Sequence, residues 1–195
     1  MDQGDRTAVA QAQNGDSDAF RSLVERHSRY LFSVANRLTG SAADAEDVVQ
    51  EAWLKAHRQL GGFEARADVR TWLHRITVNC AIDFIRARRH REDAHDPADL
   101  EQGPLSERGA VGQVTPLRLA ESGEIRQRVG EALGQLTGLE RAAFTLRHME
   151  GMSIDEVGAA LGLKASAAKH SVFRAVRKMR QALEPLVNER GTRCS

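Results

Sequence analysis

The chain has 195 residues, 41% hydrophobic, 28% charged and 5% aromatic, and a formal net charge of +1. That is enough apolar material for one moderate core or two small ones, and it excludes a disordered or fibrous chain. No apolar run approaches the ~20 residues of a membrane span, and the start, MDQGDRTAVAQAQNGD, lacks the basic-then-apolar order of a secretory signal.

A cytoplasmic protein is therefore expected, and Cys80 and Cys194, far apart and without Cys-x-x-Cys spacing, fit a reducing compartment with no disulfide framework or zinc site. Stretches rich in Ala, Leu, Arg, Glu and Val favour helix over strand, so the fold class is all-α. The near-zero net charge conceals a separation along the chain. Phe84 to Arg91 holds Arg86, Arg88, Arg89 and Arg91 with no acid, and Lys164 to Arg180 is likewise basic throughout. Between them Asp93 to Glu124 is acidic.

In chain order, Asp16 is placed to cap a helix running to about Leu38, which Thr39 and Gly40 stop, and Ser41 or Asp44 opens the next. On that next helix Ala45, Val48, Val49, Ala52, Trp53, Ala56 and Leu60 share one face, while Asp47, Gln50, Glu51, Leu54 and Arg58 form a stripe on the opposite one. Such an acidic, partly apolar stripe has no task within its own domain and reads as either a binding surface or a solvated charged face. Gly61 and Gly62 break the helix, an exposed loop FEARAD is expected, and Asp68 caps a long helix from Val69. There Val69, Trp72, Leu73, Ile76, Cys80, Phe84 and Ala87 form the buried stripe, and Arg75, Asn79, Ile82, Arg86 and Arg89 face outward as a cationic surface.

Pro97, Pro104, Pro116, Gly103, Gly109 and Gly112 then crowd into a stretch without apolar period, which marks a flexible acidic linker. The expected organisation is a first domain over 1–92, a linker over 93–118, a second domain over 119–187 and a tail over 188–195. In the second domain Thr137-Gly-Leu-Glu140 and Ser153-Ile-Asp-Glu156 have capping-box spacing ahead of apolar-periodic runs. A helix from Ser153 to about Ala160, a turn around Gly162 and a helix from about Ser166 to Leu183 make a helix-turn-helix, whose second helix is built for the DNA major groove. Its core face is Ala168, Val172, Val176, Met179 and Leu183; Ser166, His170, Phe173, Arg174 and Arg177, with Lys169 beside them, form the outward stripe that would reach phosphates and base edges.

No catalytic constellation is expected. The seven histidines are dispersed, no nucleophile-elbow or phosphate-loop pattern occurs, and no paired carboxylates face a predicted pocket. His90 and His95 beside Asp93 and Asp96 sit at a linker edge, a poor place to preorganise a metal, so neither metal nor cofactor is expected.

The order of these parts resembles the extracytoplasmic-function (ECF) sigma factors of bacterial RNA polymerase over nearly the whole chain. GDSDAFRSLVERH is similar to that family's opening helix, DAEDVVQEAWLKAHR to its polymerase-binding helix, FEARADVRTWLHRITVNCAIDFIRARRHR to its promoter-melting segment, and LERAAFTLRHMEGMSIDEVGAALGL to its helix-turn-helix entry. The resemblance implies a non-enzymatic factor that binds core RNA polymerase and directs promoter recognition, melting and initiation. Its implied partners are the polymerase beta-prime clamp helices and beta subunit, promoter DNA, and an anti-sigma factor, with no membrane insertion. It implies clamp-helix contact through Asp47, Gln50, Glu51 and Leu54, with Arg58 on the same stripe.

It also implies that the loop from Gly62 to Asp68 holds a flipped base of the minus-10 element, with Phe63 and Glu64 in the loop, Arg75 and Asn79 nearby, and Arg86 and Arg89 on the backbone. Phe63 is the preferred aromatic platform, whereas Trp72 belongs either to the core or to the base site. Asp83 either pairs internally, with an arginine such as Arg86, or touches nucleic acid. The helix from Ser166 is implied to read the minus-35 element through Lys169, His170 and Arg174, with Arg177 either on phosphate or solvated. Here the chain departs from the family pattern: Ser166-Ala167-Ala168-Lys169-His170-Ser171 stands where a Gly-Thr-Val-Lys/Arg-Ser-Arg type opening is common. Readout is then expected to lean on DNA shape and phosphates. The competing reading is a stand-alone helix-turn-helix regulator, which would have no use for the cationic face on the long helix and would need to dimerise.

Overall fold

The computed structural model describes residues 2–64, 68–93 and 123–191. Among them are eight α-helices and no strand: α1 (Gln3–Gln13), α2 (Ser17–Thr39), α3 (Ala42–Gln59), a 3-10 turn (Leu60–Gly62), α4 (Val69–Asp93), α5 (Gly123–Gly134), α6 (Gly138–His148), α7 (Ile154–Leu161) and α8 (Ala165–Gly191). The expected linker lies, beyond Asp93, outside the described residues until α5 begins. The helix α8 continues past 187 into the stretch expected to be tail.

Helix starts follow the side chains that cap them. Asp16 Oδ1 accepts from Asp18 N at 2.9 Å and Ala19 N at 3.1 Å, Ser41 Oγ accepts from Asp44 N, and Asp68 Oδ1 accepts from Arg70 N. Both capping boxes form reciprocally, Thr137 with Glu140 and Ser153 with Glu156. These bonds satisfy first-turn N–H groups that have no partner inside the helix.

The first domain packs α2, α3 and α4 around fully buried Leu23, Leu31, Val34, Leu38, Ala45, Ala56, Val69 and Ala81. Each buried leucine contributes roughly 1.5–3 kcal/mol through apolar surface removed from water. The expected core face of α3 is buried at Ala45, Val48, Ala52, Ala56 and Leu60, with Val49 and Trp53 half-buried. Trp53 settles its indole N–H on Ser28 Oγ at 3.1 Å and meets Phe20 edge-on. Cys80 is a small core residue, and burial pushes its thiol above the ordinary value, away from reactivity at neutral pH.

Helix α1 is an element that the sequence reading left unassigned. It lies on α2 through Ala8 and Val9, and its buried Asp5 receives Arg26 Nη1 at 3.0 Å and lies 3.2 Å from His27 Nε2.

In the second domain α5, α6 and α7 all pack on α8. The turn of the helix-turn-helix works because Gly162 takes φ +64°, a left-handed cap that costs glycine little and other residues considerably more. The two domains do not stand apart: α6 packs on α2, and α6 and α7 both touch α4. Ala142, Ala143, Leu146, Val157 and Leu161 join the same apolar cluster as the first-domain core.

Candidate docking face and nucleic-acid interface

The α3 stripe is exposed along its whole length. Asp47, Gln50, Glu51 and Arg58 are all exposed, and Leu54 is 49% exposed, whereas Ala45, Val48, Ala52 and Ala56 on the opposite face of the same helix are buried. A large apolar side chain held open between two carboxylates and an arginine is the composition of a protein-docking patch.

The loop and α4 depart from expectation in several places, one of them Ala87, which is expected in the buried stripe but is exposed. Phe63 is buried, with its ring 4.8 Å from that of half-buried Trp72, so it is core rather than an open stacking platform. The reason is a clamp from α1: Gln13 Nε2 donates to both Leu60 O and Phe63 O at 2.9 Å, which turns the chain inward there. Ile82, expected on the outward face, is buried. Asp83 is exposed, and the partner it meets at 3.4 Å is Lys55 rather than Arg86. Glu64 is exposed, while residues 65–67 of the expected base-holding loop lie outside the described residues.

Arg75, Asn79 and Arg86 are exposed along one side of α4, and at Asn79 and Arg86 that side faces the second domain. Asn79, Ile82 and Arg86 line a cleft of about 670 Å³ whose other wall is Met152, Glu156 and Ala159. Arg89 is half-buried and donates to Leu161 O at 2.9 Å and Gly162 O at 3.4 Å, carbonyls at the end of α7. Half the cationic face thus lies against the helix-turn-helix.

On α8, Ser166, Lys169, Phe173 and Arg177 are exposed, Phe173 at 52%. His170 is half-buried, and its Nε2 is enclosed with no hydrogen-bond partner, so that nitrogen does not belong to the outward stripe. The two stripe arginines differ: Arg174 Nε lies 3.3 Å from Glu140 Oε1 and is braced against α6. Glu140 is buried and also takes Lys178 Nζ at 2.7 Å and Thr137 N at 3.0 Å. Burial alone would raise its pKa, but the Lys178 bond, the Thr137 N–H and the Arg174 charge outweigh that and hold the carboxyl below its ordinary value.

Comparison with known proteins assigns the two halves. Sigma-70 region 2 matches residues 23–91, and Sigma-70, region 4 matches residues 126–179. The ECF RNA polymerase sigma-E factor of Escherichia coli is 33% identical over 184 residues, covering 94% of this chain and 96% of that protein. The chain belongs to the ECF sigma factors. The RNA polymerase sigma-H factor of Pseudomonas aeruginosa is 31% identical over 186 residues, 95% of this chain and 96% of that protein. Among solved structures, CnrH in complex with the cytosolic domain of CnrY is 30% identical, covers 94% of this chain and 99% of its own, and superposes with a TM-score of 0.48. As an ECF sigma factor the chain directs promoter recognition and the initiation of transcription by RNA polymerase.

Sequence reasoning missed the residues that join the domains. Arg141 is buried; its Nε and Nη2 donate to Leu133 O at 3.0 and 2.8 Å, and its Nη1 reaches Thr39 O of the first domain at 3.4 Å. His74 bridges Tyr30 and Glu150, with Nδ1 2.9 Å from the tyrosine hydroxyl and Nε2 2.6 Å from Glu150 Oε2.

Proposed function

We propose that this sigma factor divides its task among three surfaces. The α3 stripe of Asp47, Gln50, Glu51, Leu54 and Arg58 docks on the clamp helices of the polymerase beta-prime subunit. The α4 side carrying Arg75, Asn79, Arg86 and Arg89, with Glu64 at the loop, holds the single-stranded minus-10 element. The α8 stripe, led by Ser166, Lys169, Phe173 and Arg177, holds the minus-35 element. The stretch 93–118 then joins a first domain over 1–92 to a second over 119–187 and sets the spacing between the two promoter contacts.

The observation that carries this reading is the sidedness of α3, with Leu54 49% exposed between charged neighbours and Ala45, Val48, Ala52 and Ala56 buried on the opposite face. Extruding a base costs a few kcal/mol, and arginines along a strand offset it by holding the backbone. On α8, Lys169 and Arg177 supply phosphate contacts, and the Phe173 ring is the group suited to a thymine methyl. Arg174 and His170 take secondary places, because one is engaged by Glu140 and the other has its Nε2 enclosed. The resemblance further implies an anti-sigma partner that would cover these same surfaces.

The test is run-off transcription by purified core polymerase on genomic promoter fragments, with and without the chain, beside gel filtration of the mixture. Start-site-specific transcripts and co-elution are the expected result. A folded chain that neither co-elutes nor initiates would overturn the assignment.

A further inference from the structure

The chain leaving α3 is held in place by a side chain from far earlier in the sequence. Gly61 and Gly62 are both exposed, and a Cβ built on either would meet nothing within 4 Å, so packing does not hold the backbone there. Glycine also loses more conformational freedom on ordering than any other residue. Hydrogen bonds fix the path instead. Phe63 N closes the 3-10 turn on Leu60 O at 3.0 Å, and the Gln13 carboxamide, whose nitrogen carries two N–H donors, gives to Leu60 O and Phe63 O, each at 2.9 Å. Gln13 ends α1, which is itself anchored on α2 by buried Ala8 and Val9 and by Asp5 with Arg26. The Sigma-70 region 2 match begins at residue 23, so the braced turn lies inside the matched region and its brace lies before it.

Phe63 is extended, with φ −73° and ψ 109°. Neighbouring side chains of an extended chain point to opposite sides, so a Phe63 turned into the core obliges Glu64 to turn out, and the two are buried and exposed accordingly. The Phe63 ring rests 4.8 Å from that of Trp72, which shares α4 with Arg75 and Asn79. Granted the reading of Glu64, Arg75 and Asn79 as minus-10 contacts, on which this rests, we infer that Gln13 is a positioning residue for minus-10 recognition. By gripping the carbonyls of Leu60 and Phe63 it sets where Glu64 emerges beside α4, and so the base preference of that end of the site. Gln13 touches no DNA itself and acts through the backbone it holds. Arg86 and Arg89, further along α4, keep their phosphate contacts whether or not the clamp is present.

The test uses holoenzyme assembled from core polymerase and the full chain, as parent, Gln13→Met and Gln13→Asn. Methionine keeps the length of the side chain and removes both donors, whereas asparagine keeps the amide and withdraws it by one methylene. Neither variant adds a charge that would itself alter DNA binding. Gln13 is exposed at the end of α1, so both leave the core residues in place.

Fluorescence anisotropy reads binding to a labelled single-stranded DNA taken from the non-template strand of a promoter mapped by run-off transcription, and a library randomised across the minus-10 element reads base preference. If the competent placement of Glu64 falls to about one-tenth of the population without the clamp, binding weakens about tenfold, because apparent affinity scales with the competent fraction. The expected result for Gln13→Met is that loss together with relaxed preference within the minus-10 element, and for Gln13→Asn a smaller change of the same sign. Co-elution with core polymerase stays at the parent's level, and so does the salt slope, which counts phosphate contacts. A general loosening of the first domain would lower co-elution and the salt slope as well. Parent affinity and preference in a folded Gln13→Met chain overturn the positioning role, as does weakening that is uniform across the library. Arg75→Ala with Asn79→Ala judges the minus-10 reading separately: preference left intact by that pair overturns the reading, and preference relaxed by that pair but not by Gln13→Met overturns the positioning role alone.

Discussion

Glu140 ties the recognition helix to the rest of its domain, and Glu140→Gln measures that tie. The carboxylate is 4% exposed and serves three groups: Lys178 at 2.7 Å, Arg174 at 3.3 Å and the Thr137 N–H at 3.0 Å. A glutamine oxygen still accepts from Thr137 N, so the capping box survives and only the two charged contacts weaken. Lys178 and Arg174 are 37% and 51% exposed and regain water once released, so each pair is worth about 0.5–1 kcal/mol rather than the 3–5 of a fully buried pair. The expected loss is about 1–2 kcal/mol, at roughly 4–8 °C in Tm per kcal/mol for a domain of this size.

The pH dependence has a definite sign. The folded-state pKa of Glu140 lies below its ordinary value of 4.5, so the stabilisation is present above about pH 4.5 and is lost as pH falls through the lowered folded value. Thermal unfolding followed by circular dichroism, in parent and variant from neutral pH to acid, should show two curves that converge at the acid end. A variant as stable as the parent at neutral pH, or a gap unchanged in acid, would refute the role of Glu140 as an ionised brace.

Asp47→Arg with Glu51→Arg should cut co-elution with core polymerase at least tenfold while the unfolding temperature stays at the parent's, since both side chains are exposed; normal co-elution by the folded double variant would remove α3 from the docking role. Lys169→Ala should weaken promoter binding by the polymerase holoenzyme uniformly across sequences and lower the salt slope by about one, as loss of a phosphate contact does. Phe173→Ala should leave stability unchanged and relax preference at one minus-35 position by about 1–3 kcal/mol, read from a randomised minus-35 library. Leu146→Ala, at a fully buried α6 position, should cost about 2–5 kcal/mol by urea unfolding.

Much of the local architecture was legible because its causes are local. A capping side chain, a broken apolar period and a glycine at a helix end act within a few residues of themselves, so Asp16, Ser41, Asp68, Thr137, Ser153 and Gly162 announced where helices begin and stop. The α3 stripe was legible for the same reason: one helix face was apolar, and the charged residues fell together on the other. Helix α1 carries no such local mark: its pattern is short, and its Asp5 is buried because Arg26 and His27 meet it from α2.

The sequence by itself determined the all-helical class, the helix-turn-helix, the outward stripes of α3 and α8 and the family. Only the tertiary structure decided that Phe63 is core, that Asp83 meets Lys55, that Arg174 is braced by Glu140, and that Arg89 and Arg141 cap helices in the opposite domain. Those outcomes hinge on partners far away in sequence. In the last case the partners are backbone carbonyls, which every residue carries, so no pattern of side chains marks where an arginine from another domain will find one.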